Sequence, residues 1–232
     1  MAKEFKVTPW TVTGNVDYEK LTKEFGTEPL TDEILNRIKR HTKELHVLLR
    51  RKVFFSHRDM KWLLDEYEKG NKFFLYTGRG PSGPVHIGHL IPWIFTRWLQ
   101  EKFDAELWFQ FTDDEKFLFR KKDELGIGEY TKIAYENALD VIALGFDPKK
   151  THFLIDTKHA GVMYKEACKV AKKINFSMVK SWPTSSVEEY ELIKTNTPGS
   201  ICLWMLRSEP TFRVPIYLFV KSTLFLLVGG II

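Results

Sequence analysis

The sequence is poor in cysteine. It has two in 232 residues, Cys168 and Cys202, far apart and with no CxxC pair. That excludes a disulfide framework or a zinc knuckle as the organising device and fits a reducing compartment. An apolar run is also missing from the start of the chain. Met1-Ala2-Lys3-Glu4-Phe5-Lys6 carries charge where a secretory signal would carry its hydrophobic stretch. There is no internal repeat and no low-complexity tract. The charge is not strongly of one sign: the formal net charge is +5. This suits a polyanionic partner, a nucleotide or a nucleic acid, without requiring one. What is present is 44% hydrophobic and 28% charged residues, the composition of a chain with an ordinary buried core, folded as one sizeable domain or two small ones.

Three zones differ in pattern. In residues 1–70, short apolar and β-branched runs around Pro9-Trp10, ending near Gly14-Asn15, predict a small hairpin over 1–16. The rest of that zone reads as helices. One begins at Thr31-Asp32-Glu33 and runs through Ile34, Leu35 and Ile38. Another is capped by Ser56, with Asp59 at capping-box spacing and Met60, Leu63, Leu64 and Tyr67 on one face. From residue 71 the pattern alternates. Phe73-Phe74-Leu75-Tyr76-Thr77 is a buried strand, and Leu90 to Phe103 is a helix. Ala105 to Thr112 is a strand, and Tyr130 to Leu144 is a helix with Ile133, Ala134, Ala138, Val141 and Ile142 inward. His152 to Ile155 is a third strand, and Gly161 to Ile174 a third helix. Such alternation predicts an α/β fold with a parallel sheet and helices on both faces. Ligands of these sheets bind at the carboxyl ends of the strands, so the loops after Thr77 and after Thr112 are where chemistry is expected.

The first loop holds Gly78, Gly80 and Gly83 for close backbone approach, Pro81 and Pro84 for stiffness, and Arg79 as a fixed cation. His86 and His89, three apart at a helix entry, face one ligand. The free N–H groups of that helix start favour phosphate. Each part alone is commonplace; the combination of strand, Gly/Pro loop, His-x-Gly-His and helix is specific. Residues 81–89, Pro-Ser-Gly-Pro-Val-His-Ile-Gly-His, resemble the first signature of class I aminoacyl-tRNA synthetases. Tyr76 to Gly80, Pro9 to Val12, Phe54 to Met60 and Thr112-Asp113-Asp114-Glu115-Lys116 are similar to the tryptophanyl members of eukaryotes and archaea, so the resemblance covers about residues 8–180.

The resemblance implies a Rossmann-like catalytic domain, of which 71–180 would be the first half, with an amino-terminal hairpin able to cover the nucleotide. It implies a tryptophan--tRNA ligase reaction, in which ATP, with Mg2+ as part of that substrate, activates L-tryptophan for transfer to tRNA(Trp). No tightly bound cofactor and no resident metal are implied. His86, His89 and Arg79 would act on the phosphates, with Arg79 near the phosphates or the tryptophan carboxylate. Gly78, Gly80, Pro81 and Gly88 would line the ATP site, Gly88 kept small by adenine or ribose. Tyr76 and Gln110 would read the indole and Glu115 the α-amino group. The bland readings are core packing for Tyr76 and a helix-start acid cluster for 113–115. Members are homodimers of the cytoplasm. Rivals are the tyrosine enzyme, a non-catalytic fragment that binds nucleotide, tRNA or protein, and a related nucleotidyltransferase that uses no tRNA.

After Lys180 the resemblance stops: the Lys-Met-Ser-type second signature is not found. For residues 181–232 the preferred expectation is a reading-frame error or truncation. The rivals are a membrane anchor at 214–232, which Pro215, Lys221 and two glycines disfavour, and a divergent domain. On the preferred reading the chain is an incomplete form with little or no aminoacylation activity, and it aggregates through uncovered apolar faces.

Overall fold

The computed structural model describes residues 6–7, 12–13, 27–119, 125–172, 215–220 and 223–228. β1 (Lys6–Val7) and β2 (Val12–Thr13) pair antiparallel, the hairpin expected there. β3 (Glu28–Pro29) precedes α1 (Asp32–Thr42), which Thr31 caps by accepting from the Ile34 N–H. α2 (Val47–Arg50), β4 (Phe54–His57) and α3 (Met60–Glu68) follow. Arg37 of α1 clasps α3 through both carboxylate oxygens of Glu68, at 3.1 and 2.8 Å, and through Asp65 at 2.8 Å.

The strand β4 corrects the helical reading of this zone. Ser56 is not a cap: it lies in β4, 1% exposed, and its hydroxyl has no partner among the described residues. β4 pairs antiparallel with β3 on one side and on the other with β8 (Pro215–Val220), which turns into β9 (Thr223–Val228). Helix α3 therefore starts later, at Met60, with Asp59 in a left-handed turn and the Met60 N–H donated to His57 Nδ1 at 3.3 Å. The apolar stretch of 214–232 thus contains two six-residue strands joined at Lys221-Ser222. Among the described residues no helix is long and apolar enough to cross a membrane. Residues 181–214 lie outside the described residues.

The alternating zone folds as expected in type. β5 (Phe74–Arg79), β6 (Glu106–Phe111) and β7 (Thr151–Ile155) form a parallel sheet in the order β5-β6-β7. Phe109, Gln110 and Phe111 are consecutive and all buried. Successive strand residues point to opposite faces, so both faces of β6 are covered, as a parallel sheet requires. The helices are α4 (Ile87–Phe103), α5 (Asp113–Phe119), α6 (Ile127–Ala143) and α7 (Asp156–Ala171). Two details differ from expectation. Ile142 is 57% exposed, and Asn137 and Tyr130 take the inward positions beside Ala134, Ala138 and Val141. The third helix begins at Asp156, directly after the strand, with no intervening loop. Tyr135, Leu139 and Ile142 on α6 and Val162 and Tyr164 on α7 leave apolar surface exposed.

The register places Gly78 opposite Gln110. A Cβ on Gly78 would stand 2.5 Å from the Gln110 carbonyl oxygen, too close for any real contact. Gly78→Ala must therefore spread β5 from β6. We expect a loss of about 2–3 kcal/mol, read from the urea midpoint; an unchanged midpoint would mean that the strands separate without cost.

Candidate nucleotide and amino-acid site

Loop 80–86 joins β5 to α4, and the side chains of Arg79 and Asn137 hold its conformation. Arg79 is 8% exposed, and its NH2 group donates to the carbonyls of Gly83 (2.9 Å) and Pro84 (3.1 Å), while NH1 lies 3.3 Å from His89 Nδ1. Asn137 of α6 donates to the same Gly83 carbonyl at 3.2 Å. Gly83 has φ +151°, a conformation other residues rarely adopt. Arg79, expected at the phosphates, is in this arrangement the strap of the loop that would meet them. Asn137 escaped the sequence reading because a polar residue in mid-helix reads as surface.

The two histidines form a reciprocal cap. His86 Nδ1 accepts the Gly88 N–H and His89 Nδ1 accepts the His86 N–H, each at 3.2 Å. Their rings lie 3.7 Å apart between centroids. With both Nδ1 atoms accepting, the ring protons of the neutral imidazoles belong on Nε2, so the pair presents two N–H donors at the start of α4. Burial, reinforced by Arg79 and His86, pushes the His89 pKa down to about 4, and its imidazole is neutral near pH 7. His86, Ile87 and Gly88 are exposed, and the face they form is open. A Cβ on Gly88 would already meet the His86 ring at 3.1 Å, a constraint independent of any ligand. Gly80 is likewise crossed by the Lys116 side chain, where a Cβ would collide. Pro81 is buried.

At the ends of β6 and β7 the acids separate by role. Asp113 is fully buried. Its Oδ2 accepts from the hydroxyls of Thr131 (2.7 Å) and Thr157 (2.6 Å), and its Oδ1 from the N–H groups of Thr157 (3.1 Å) and Asp114 (3.2 Å). It ties the starts of α5, α6 and α7 together. Asp114 accepts the Glu115 N–H at 2.7 Å, and burial raises its pKa. Glu115 is half-buried at the edge of the site.

Tyr76 and Gln110 come together: the Tyr76 hydroxyl donates to Gln110 Oε1. Gln110 is 6% exposed, and its Nε2 donates onward to Oδ1 of Asp156 at 2.6 Å. Asp156 is a residue the sequence reading did not single out. Burial, with the nearby Asp114 and Asp113 carboxylates, pushes its pKa up to about 8, so near neutrality it is a carboxylic acid. The signal available was position, an acid directly after the third strand on the carboxyl edge.

Residues 68–174 match the family described as tRNA synthetases class I (W and Y). The chain is 58% identical over 213 residues to a tryptophan--tRNA ligase of Pyrococcus furiosus, covering 91% of this chain and 53% of that protein. It is 52% identical over 181 residues to one of Saccharolobus solfataricus, covering 78% of this chain and 47% of that protein. The Pyrococcus match is too long to end at Lys180; it runs beyond that residue. Among solved structures the fold is similar to a tryptophanyl-tRNA synthetase of Plasmodium falciparum. The TM-score is 0.73 at 35% identity, over 85% of this chain and 52% of that one. It is also similar to one from Encephalitozoon cuniculi bound to tryptophan. There the TM-score is 0.71 at 31% identity, over 84% of this chain and 56% of that one. The chain spans about half the length of the curated relatives it matches.

Proposed function

Because the chain belongs to the class I tRNA synthetases for tryptophan and tyrosine, we propose that it carries the first half of the site of a tryptophan--tRNA ligase. The observation that supports this best is one of placement. The imidazole donors of His86 and His89 follow the carboxyl end of β5, and the Tyr76–Gln110 pair bridges β5 and β6 of the same parallel sheet. One end is made for anionic oxygen and the other for an aromatic ring with a single N–H.

In the reaction a carboxylate oxygen of tryptophan attacks the α-phosphorus of ATP, a bond to the α-phosphorus forms, and the bond to pyrophosphate breaks. No side chain need become covalently attached. The chain's part is to position and to stabilise charge. The Nε2–H groups of His86 and His89 donate to phosphate oxygens. Arg79 holds the loop 80–86 in register and places a positive charge behind it. Gly78, Gly80, Pro81 and Gly88 form the backbone floor for ATP, which brings Mg2+ with it as part of the substrate. Gln110 Oε1, which takes one hydrogen bond from Tyr76, has a second lone pair for the indole N–H. Tyr76 packs on the ring, and Glu115 takes the ammonium. Transfer to tRNA(Trp), homodimer assembly and a cytoplasmic location complete the reading for the whole protein.

The test is calorimetric titration of the 232-residue chain with L-tryptophan and L-tyrosine, followed by tryptophan-dependent exchange of pyrophosphate into ATP. We expect tryptophan to bind at least about tenfold more tightly than tyrosine, whose hydroxyl both donates and accepts, and His89→Ala to weaken ATP binding. A preference for tyrosine would transfer the reading to the tyrosine enzyme. ATP binding with no amino-acid binding would leave a nucleotide-binding fragment.

A further inference from the structure

Gln110 is a symmetric reader until something orients it. Its amide carries a donor and an acceptor of nearly equal size, and only the acceptor serves an indole N–H. Three neighbouring strands contribute to this amide's surroundings: Tyr76 from the middle of β5, Gln110 itself near the end of β6, and Asp156 immediately after β7. Tyr76 can both give and take a hydrogen bond, so its hydroxyl alone does not choose. Asp156 does. Its Oδ1 lies 2.6 Å from Gln110 Nε2, and the carboxyl is 3% exposed, so water does not compete. Its Oδ2 is buried without a hydrogen-bond partner among the described residues. The negative Asp113 and Asp114 stand close by. The N–H donor of Gln110 makes Oδ1 the accepting oxygen, which leaves Oδ2 to carry any proton.

We propose that Asp156 is a positioning residue for amino-acid selection: by accepting from Gln110 Nε2 it fixes the amide with its oxygen on the Tyr76 side, where a ligand N–H is read. This rests on the reading of Tyr76 and Gln110 as the indole-facing pair. Asp156 itself need not touch the ligand. Its effect therefore falls on discrimination between a ring with an N–H and the same ring without one.

The chain is titrated by calorimetry with L-tryptophan and with β-(3-benzothienyl)-L-alanine, in which sulfur replaces the ring N–H. Wild type is expected to prefer tryptophan about tenfold, the value of one buried hydrogen bond that the analogue cannot make. In Asp156→Leu the preference falls to within about twofold, because the amide is free to turn. In Asp156→Asn, whose amide can donate as well as accept, the preference also falls, because nothing then fixes which way the Gln110 amide faces. Circular dichroism accompanies each variant. If Asp156→Leu does not fold, Asp156→Ser, too short to reach Gln110, must show the same loss. A full preference in the leucine or serine variant overturns the proposal while leaving the tryptophan reading intact. Wild type binding neither compound overturns both the proposal and the reading beneath it.

Discussion

Asp113→Ala is expected to cost the chain about 3–5 kcal/mol of stability, a large share of the roughly 5–15 kcal/mol that a folded domain has in total. The carboxylate takes four hydrogen bonds inside the protein, and its donors come from the starts of three helices. Removing it takes the shared acceptor from the Thr157 N–H, the Asp114 N–H and two threonine hydroxyls, all in part-buried positions. Asp113→Asn is milder. One amide oxygen keeps the pair of N–H donors, while the amide nitrogen faces the hydroxyls of Thr131 and Thr157, which can accept instead. Glu115→Ala, two residues on, should change stability by less than about 1 kcal/mol, as a half-buried side chain at the edge of the site. Urea denaturation of the three variants decides the matter. Equal losses for Asp113→Ala and Glu115→Ala would refute the division of labour among the three acids.

That division marks how far the sequence can be read. Thr112-Asp113-Asp114-Glu115 is visible as a cluster at a strand end, but its members have the same chemistry. Only the positions of Thr131 and Thr157, 18 and 44 residues away, show which carboxylate is structural. The parallel sheet was legible because its strands read as short, largely apolar runs between helical segments, as Phe73 to Thr77 and Ala105 to Thr112 do. β4 was not, because four residues pair with segments distant in sequence, and the local spacing of Ser56 and Asp59 satisfies a capping rule that tertiary pairing overrides. The His86–His89 loop was legible as a unit. Its mutual capping was not, since it depends on the two ring orientations, nor was the turning of Arg79 inward, which depends on where Gly83 and Pro84 place their carbonyls. Asp156 was missed for a related reason. An acid before a threonine at a helix start is ordinary local chemistry, and its contact with Gln110 lies across the sheet.

Asp156→Asn should stabilise the chain, and by more as the pH rises. A carboxyl whose folded pKa is about 8, against an ordinary value of 3.8, binds a proton in the folded state that the unfolded state has released. Between these values the unfolded state binds fewer protons, so stability falls as pH increases from about 4 to about 8 and levels off above. Asparagine does not ionise and carries no such penalty. The variant should match wild type near pH 4 and exceed it by a margin that grows steadily up to about pH 8. Three histidines act in the opposite sense. Burial lowers the pKa of His46, His57 and His89, so in the range below about 6.5 the unfolded state binds more protons and stability falls as the pH drops. Wild-type stability should therefore peak between the two effects, and the histidine contribution cancels when variant and wild type are compared at each pH. Denaturation midpoints at pH 5, 7 and 9 give the difference directly. Parallel curves for the two proteins would mean that Asp156 is already ionised in the fold, and that Gln110 is gripped by a charge rather than by a neutral acid.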